Sequence, residues 1–307
     1  MAAVELPVSD EEPCAPISIV IPTYRRDQVL LETLDPLLNL QPRAAEILVV
    51  DQTLRHAPET EARLRQLDGA GSIRWLRLDR PSIPGAMNVG LLRASEEIVL
   101  FLDDDIMPDG GLVAAHLYAH REDGVGLVAG QVLQPWNATA SGASDVSTFQ
   151  FSSAQRSLVR EFMGGNFSVK RALALTLGGF DENFVHVAYR FEADFADRLL
   201  AMGICILFEP SASIRHLKVL AGGTRVYGDH LRTVRPSHAV GEYYYLLRRW
   251  RSRYALPRLF RRPIAAIATR HHLRRPWWIP VTITSELLGF CWGLGLALRG
   301  PRYLRQV

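Results

Sequence analysis

Three consecutive carboxylates, Asp103-Asp104-Asp105, follow the apolar run Ile98-Val99-Leu100-Phe101-Leu102. Crowded at one strand end they repel each other, and a divalent cation is the simplest relief. Mg²⁺ and Mn²⁺ prefer oxygen ligands and bridge carboxylates to substrate phosphates. The same acids also suit a solvated turn, so their position decides. Further along, His216 ends a strand-like segment, and a neutral imidazole suits Mn²⁺ better than Mg²⁺. Gly222-Gly223-Thr224-Arg225 has the make-up of a loop that folds over phosphates, with Arg225 stabilising leaving-group charge.

The elements that must position these groups follow from hydrophobic patterning. Residues 17–21, 47–50, 73–78 and 98–102 are short, β-branched or apolar runs of the kind that form buried strands. Between them, residues 26–39, 60–67 and 84–94 carry helical spacing, the last with Pro84 in its first turn. Alternating strands and helices, with continuous apolar strands, predict an α/β fold with a mostly parallel sheet covered on both faces. In such sheets ligands bind at the carboxyl ends of the strands. Tyr24, Asp51 and Asp103 to Asp105 all sit just past strand ends. Downstream, 125–133 and 204–208 read as strands, 192–202 as a helix closed by Gly203, and the polar stretch 134–153 as a mobile loop.

The order of these segments resembles the family 2 glycosyltransferases. Pro22-Thr23-Tyr24, Asp51, the stretch Arg80 to Gly90, and Phe101 to Asp105 carry the likeness. It continues through Gly178 to Glu182, Glu192-Ala193-Asp194, Arg198-Leu199 and Pro210 to His216, covering roughly residues 16–220. The resemblance implies a GT-A (Rossmann-like) fold and an inverting nucleotide-sugar transferase. It places Pro22, Thr23 and Tyr24 against the nucleotide and Asp51 on the base, where a carboxylate can accept from a uracil or thymine imide N–H. Gly85 and Asn88 match the loop and helix closing over the nucleotide. Asp103 matches a ribose or metal contact, Asp104 a supporting donor-site residue, and Asp105 the usual metal ligand. His216 completes the metal site or touches the diphosphate in parts of the family. Gly164-Gly165-Asn166 matches the stretch beneath sugar and acceptor. Aligned on Arg198-Leu199, Glu192 falls at the general base and Asp194 at the alternative, with Phe191 replacing the usual preceding acid. UDP- and dTDP-sugars fit Asp51 best, and because Gln52-Thr53 after it departs from the pattern, guanosine donors are not excluded.

The chain has 307 residues, 48% hydrophobic and 22% charged, with a net charge of +3. These values suit a globular protein with a sizeable core. Three dispersed cysteines, Cys14, Cys205 and Cys291, have neither zinc nor redox spacing and fit a reducing cytoplasm. The N-terminal stretch is acidic without a hydrophobic run, so no signal peptide is expected there. Beyond Leu231 the only acids are Glu242 and Glu286, while arginines accumulate from Arg248 to Arg275 among Trp250, Tyr254, Phe260, Trp277 and Trp278. Residues 279–298 match a bilayer span in length, roughly 20 residues. Glu286 and three glycines in that stretch favour an interfacial or re-entrant helix over a true span, and a buried C-terminal helix is the third placement. We therefore expect a flexible arm at 1–15, a catalytic domain at 16–230, and a basic helical C-terminal region at 231–307. Peripheral membrane contact through 248–305 would place the protein at the cytoplasmic face of a membrane, with a saccharide or lipid-linked acceptor.

Leu246 stands where processive polysaccharide synthases carry the glutamine of Gln-x-x-Arg-Trp, which points to a non-processive enzyme. Two other classes share parts of this pattern. A metal-dependent nucleotidyltransferase would need a glycine-rich triphosphate loop after strand one, and Pro22 to Arg26 has no glycine. A nucleic-acid binder using the arginine-rich tail would leave Asp103 to Asp105 and Glu192 without a role.

Overall fold

The computed structural model describes residues 14–136, 149–219 and 221–304. Residues 1–13 of the expected arm at 1–15, and the middle of the expected loop at 134–153, lie outside these residues, and Ala15 already belongs to the first strand. The first half is built as β1 (Ala15–Thr23), α1 (Gln28–Leu38), β2 (Ala44–Asp51), α2 (Pro58–Gly69), β3 (Arg74–Arg77), α3 (Ile83–Arg93) and β4 (Ile98–Leu102). Then come β5 (Ile106–Pro108), α4 (Leu112–Ala119), β6 (Val125–Leu133), β7 (Ser157–Val159), β8 (Asn166–Lys170), α5 (Arg171–Thr176), α6 (Phe191–Ala201) and β9 (Cys205–His216). The C-terminal part is α7 (Ala239–Arg248), α8 (Ala255–Ile267), α9 (Arg270–Arg274) and α10 (Ile279–Arg299).

The sheet runs in the order β3-β2-β1-β4-β8-β6-β9-β5, with β7 paired to β9. β1 pairs parallel with both β2 and β4, and β2 with β3. The chain thus winds outward from β1 to β3, and α3 then carries it back to β4 on the other side of β1. That reversal opens a crevice at the carboxyl ends of β1 and β4, the usual ligand position in such sheets. β6 also pairs parallel with β9, in line with the expected mostly parallel sheet, but the sheet is not purely parallel. β8 runs antiparallel to β4 and β6, and β9 antiparallel to β5 and β7, so the sheet is mixed. Continuous apolar runs report burial on both faces and not strand direction.

Alternate residues of β1 feed different layers. Ile17, Ile19 and Ile21 pack with Leu30 and Leu34 of α1 and Leu64 of α2. Val20 faces Met87 and Leu91 of α3, in a core that also holds Phe101, Phe167, Phe195 and Phe208. Ser82 caps α3, its Oγ accepting from Gly85 N at 3.1 Å. β9 bulges at Glu209 to Ser213, where its pairing with β6 jumps from Gly130↔Glu209 to Gln131↔Ser213. Pro210 has no N–H for the ladder, so the chain arches there and resumes pairing up to His216.

The expected boundary at residue 230 is crossed by a shared core. Val240 and Tyr244 of α7 and Leu296 of α10 pack in the same cluster as Phe180, Phe184 and Phe195. α10 lies against α7 at backbone distance. An added Cβ on Gly289 would stand 2.6 Å from the Ala239 Cβ, whereas Gly295 has nothing within 4 Å. In urea denaturation, Gly289→Ala should therefore lower stability by about 1–3 kcal/mol through overpacking. Gly295→Ala should raise it by up to about 1 kcal/mol through helix propensity. Equal effects at the two positions would contradict this packing.

Candidate active site

Three strand ends assemble the acidic cluster. Asp103 follows β4 and is held by its N–H donating to Gly165 O at 3.2 Å. β5 pairs with the end of β9, placing Ile106 opposite His216. Leu217 N donates to Asp105 O at 2.8 Å. Gly165 is required at its position, because an added Cβ would lie 2.3 Å from Asp103 Oδ2. One ligand atom each from Asp103, Asp105 and His216 lies within 4.8 Å of the others. Ligands at about 2.1 Å from an ion stand at most about 4.2 Å apart, so these side chains fit one divalent cation after a small adjustment. Two carboxylates and an imidazole are donors of the kinds that divalent cations take.

Positive groups hold the acids together. His216 Nε2 lies 3.0 Å from Asp105 Oδ1 and 3.8 Å from Asp103 Oδ2. Its Nδ1 meets Gln134 Oε1 at 3.2 Å. Arg26, which the sequence did not single out, is buried here. Its Nη2 lies 3.2 Å from Asp105 Oδ2, its Nε 3.4 Å from Asp104 Oδ1, and its Nη1 donates to Ala221 O. Asp104 also accepts from Thr23 Oγ1 at 2.7 Å. Burial pushes Asp104 up to about 7, against Arg26 and that hydrogen bond. Burial would raise Asp105 too, but the His216 hydrogen bond and charge, with Arg26, hold it below the usual carboxylate range. Burial disfavours the His216 cation, and the two aspartates more than offset this, leaving its pKa raised.

The cluster opens into a cavity of about 180 Å³. Pro22, Thr23, Tyr24, Asp103, Asp104, Asp105, His216 and Arg225 line it, as the sequence suggested, with Arg26, Gln52, His186 and Tyr227 in addition. Glu192 stands in the first turn of α6, half-buried behind Gly164. An added Cβ on Gly164 would be 3.1 Å from Glu192 Oε1. Burial pushes the Glu192 carboxyl up to about 7, with the Asp103 charge adding to it and N–H groups of Glu192 and Gly164 opposing. The lead-in to α6 holds His186, Ala188 and Arg190 at φ of 58°, 51° and 77°. Three left-handed non-glycine residues store backbone strain directly before the candidate base.

Several expected site residues are placed otherwise. Asp51 is fully buried, and its oxygens accept from Thr53 N, His56 Nε2 and Trp75 Nε1 at 2.8, 2.7 and 2.9 Å. Gln52, its neighbour, faces the cavity instead. Gly85 serves the cap of α3. Asn88 is buried and clamps Phe180, donating to its O at 2.9 Å and accepting from its N at 2.8 Å. Asp194, the expected alternative base, is buried against Arg198 at 2.9 Å, Arg249 at 3.1 Å and Arg248 at 3.6 Å. Asn166, the expected acceptor or sugar contact, is fully buried. Its Nδ2 donates to Gln131 O and Ala212 O at 3.0 and 2.8 Å, and its Oδ1 meets His116 Nε2 at 3.0 Å. The chain of bonds continues from His116 Nδ1 through Ser168 Oγ to His120 Nε2, each step 2.8 Å.

Residues 18–170 match a family model described as glycosyl transferase family 2. No curated protein matches the chain by sequence. Among solved structures, it is similar to the mannosyltransferase PcManGT from Pyrobaculum calidifontis in complex with GDP-Man and Mn2+. There the TM-score is 0.56 at 20% identity, over 97% of this chain and 83% of that one. It is similar to GalNAc-T7 with UDP, GalNAc and Mn2+, at a TM-score of 0.54 and 15% identity over 65% of this chain. In that comparison the match spans only 42% of the other chain. It is also similar to S. aureus TarS 1-349 in complex with UDP-GlcNAc, at a TM-score of 0.51 and 14% identity, over 89% and 72% of the two chains. At these identities the likeness is one of fold.

The buried histidines give a test of the network behind the cluster. Burial pushes His116 down to about 4 and His120 down to about 3. Between those values and the ordinary histidine pKa, the unfolded chain binds more protons than the folded one. Stability is therefore present above about pH 6.5 and lost as pH falls, by roughly 3 kcal/mol for each histidine. Urea midpoints measured from pH 7 to pH 4 should fall steeply, and His120→Gln should flatten that slope. A wild-type midpoint independent of pH over this range would contradict two neutral buried histidines.

Proposed function

The chain belongs to the family 2 glycosyltransferases of GT-A fold, and from that premise we propose that it is a non-processive, inverting enzyme using a nucleotide-diphosphate sugar. The observation that carries this reading is the Asp103, Asp105 and His216 group opening into the cavity at the β1–β4 reversal, with Glu192 behind Gly164. Asp103, Asp105 and His216 would hold Mg²⁺ or Mn²⁺, which when bound offsets charge on the leaving diphosphate. Tyr24 and the 222–225 loop bound the donor, and Arg225 faces the same anionic group. Glu192 takes the proton of an acceptor hydroxyl as that oxygen bonds to the anomeric carbon. The bond from that carbon to the diphosphate breaks on the opposite side, so configuration inverts and a nucleoside diphosphate leaves.

A UDP- or dTDP-sugar is the proposed donor. With Asp51 engaged by His56 and Trp75, base contacts fall to Gln52, Pro81 and Ser82 on the cavity wall. Proteins of similar fold hold UDP, GDP-Man and UDP-GlcNAc, so the fold by itself selects no base. The proposed acceptor is a saccharide, free or lipid-linked, met at the cytoplasmic face of a membrane that residues 248–305 contact peripherally.

A hydrolysis and transfer screen across nucleotide-sugars, with Mn²⁺ or Mg²⁺ added, tests this. Asp105→Ala should abolish metal-dependent donor binding in calorimetry. Glu192→Gln should keep donor binding and lower transfer by about 10²–10⁴-fold, the usual contribution of a general base. Because only ionised Glu192 can accept a proton, the wild-type rate should rise with pH through about 7, and Glu192→Gln should lose that limb. Wild-type behaviour in both variants would discard the assignment.

A further inference from the structure

We propose that the outer faces of α8 and α10 seat the enzyme in the plane of an anionic bilayer leaflet. The proposal rests on the transferase reading above and names the surface and partner that the membrane contact would use.

α8 is amphipathic the wrong way round for water. Leu256, Phe260 and Ile264, spaced at i, i+4 and i+8, are 44%, 74% and 66% exposed. Arg258 and Arg262 turn toward the protein instead, where they meet Glu242 at 3.0 Å and Glu286 at 3.0 Å. A helix packing on a core in water does the opposite. α10 continues the surface. Its inner stripe, Thr282, Ser285, Glu286, Gly289, Gly293 and Leu296, is buried, while Leu287, Leu288 and Leu298 face out, Leu298 at 79% exposure. Trp250, Tyr254 and Trp277 are also exposed, and such rings favour the headgroup level.

Charge selects the partner. Glu242 and Glu286 are the only acids after Leu231, and both are buried against arginines. Arg251, Arg253, Arg261, Arg270, Arg274 and Arg275 are exposed. Apolar side chains ringed by unopposed cations complement an anionic leaflet. A nucleic acid would use the arginines and leave Phe260, Ile264 and Leu298 in water.

α10, taken with its lead-in from Pro276 to Arg299, is long and apolar enough to cross a membrane, but its partners hold it in the plane. Glu286 sits between Arg262 and the Tyr243 hydroxyl, which donates to it at 2.8 Å. A crossing would carry this cluster and α7 into hydrocarbon. The surface also continues to the donor cavity. Trp292 of α10 meets His186 edge-on at 5.1 Å, and His186 stacks on Tyr227 at 4.7 Å. Both His186 and Tyr227 line the cavity.

Flotation of the full chain with phosphatidylcholine vesicles, with and without phosphatidylglycerol, tests the proposal. Wild type should float with the anionic vesicles. Phe260→Asp combined with Ile264→Asp should lose binding at least tenfold, as should Arg261→Glu combined with Arg274→Glu. A fluorophore on Cys291, in a Cys14→Ser, Cys205→Ser background, should be quenched by shallow and not by deep spin-labelled lipid. Flotation unaffected by either pair, quenching at the bilayer centre, or binding to single-stranded RNA in place of vesicles overturns the proposal. Donor hydrolysis read without vesicles should be unchanged in both pairs. Absent hydrolysis in a wild-type chain that still floats would count against the transferase reading and leave this surface standing.

Discussion

Like-charged carboxylates at the end of β4 set the constraint around which the rest is organised. Asp103, Asp104 and Asp105 are held side by side, and their mutual repulsion opposes that. The fold answers with fixed counter-charge from two directions. Arg26 reaches in from the loop after β1, and His216 from the end of β9. Each direction requires its own backbone device. The β1–β4 pairing brings Arg26 alongside, while the bulge at Pro210 and the antiparallel β5–β9 pair deliver His216. Gly165, on the neighbouring strand connection, leaves the volume that the Asp103 carboxylate fills. The mixed sheet is thus part of the site, because an all-parallel arrangement would send the end of β9 elsewhere.

The acidic cluster itself was legible in the sequence, since a buried strand ending in three carboxylates is a local pattern. His216 and Arg225 were legible through the order of neighbouring motifs, and Glu192 through its spacing from Arg198. What escaped the sequence was partnership over long separations. Nothing around Asp51 announces that His56 and Trp75 consume its oxygens. Asp194 looks like a candidate base until Arg248 and Arg249, more than 50 positions later, close on it. Asn166 looks like a site residue because it follows two glycines, yet its bonds run inward to His116 on α4. The antiparallel strands β5, β7 and β8 were less legible, because apolar runs report burial and not strand direction. Arg26 lay in plain view beside Tyr24, but a side chain's aim toward Asp105 is a tertiary fact.

The C-terminal region shows how buried charge can join two parts of one chain. Asp181 accepts from the Tyr244 hydroxyl at 2.6 Å and from Arg248 at 2.9 Å. The same carboxylate accepts from the N–H groups of Asn183 and Arg302 through its other oxygen. Beside it, Asp194 meets three arginines, two of them on the last turn of α7 or its cap. Glu242 and Glu286 repeat the arrangement further out, with Arg190, Arg258 and Arg262 as partners. The arginines that make the tail look like a uniformly basic patch therefore divide into two sets, one consumed internally and one presented outward.

That division bears on how such a chain can evolve. A buried carboxylate stripped of its arginine costs about 3–5 kcal/mol, a large share of what usually holds a domain folded. Asp181 and Asp194 lie before residue 230, and Arg248 and Arg249 after it. Neither part can be exchanged for a homologous cassette unless the incoming piece brings matching charges at the same depth. Recombination across this seam would leave those carboxylates without their partners. Substitution within the outward set of arginines meets no such barrier, so the surface chemistry of the tail can drift while its junction to the catalytic fold stays locked.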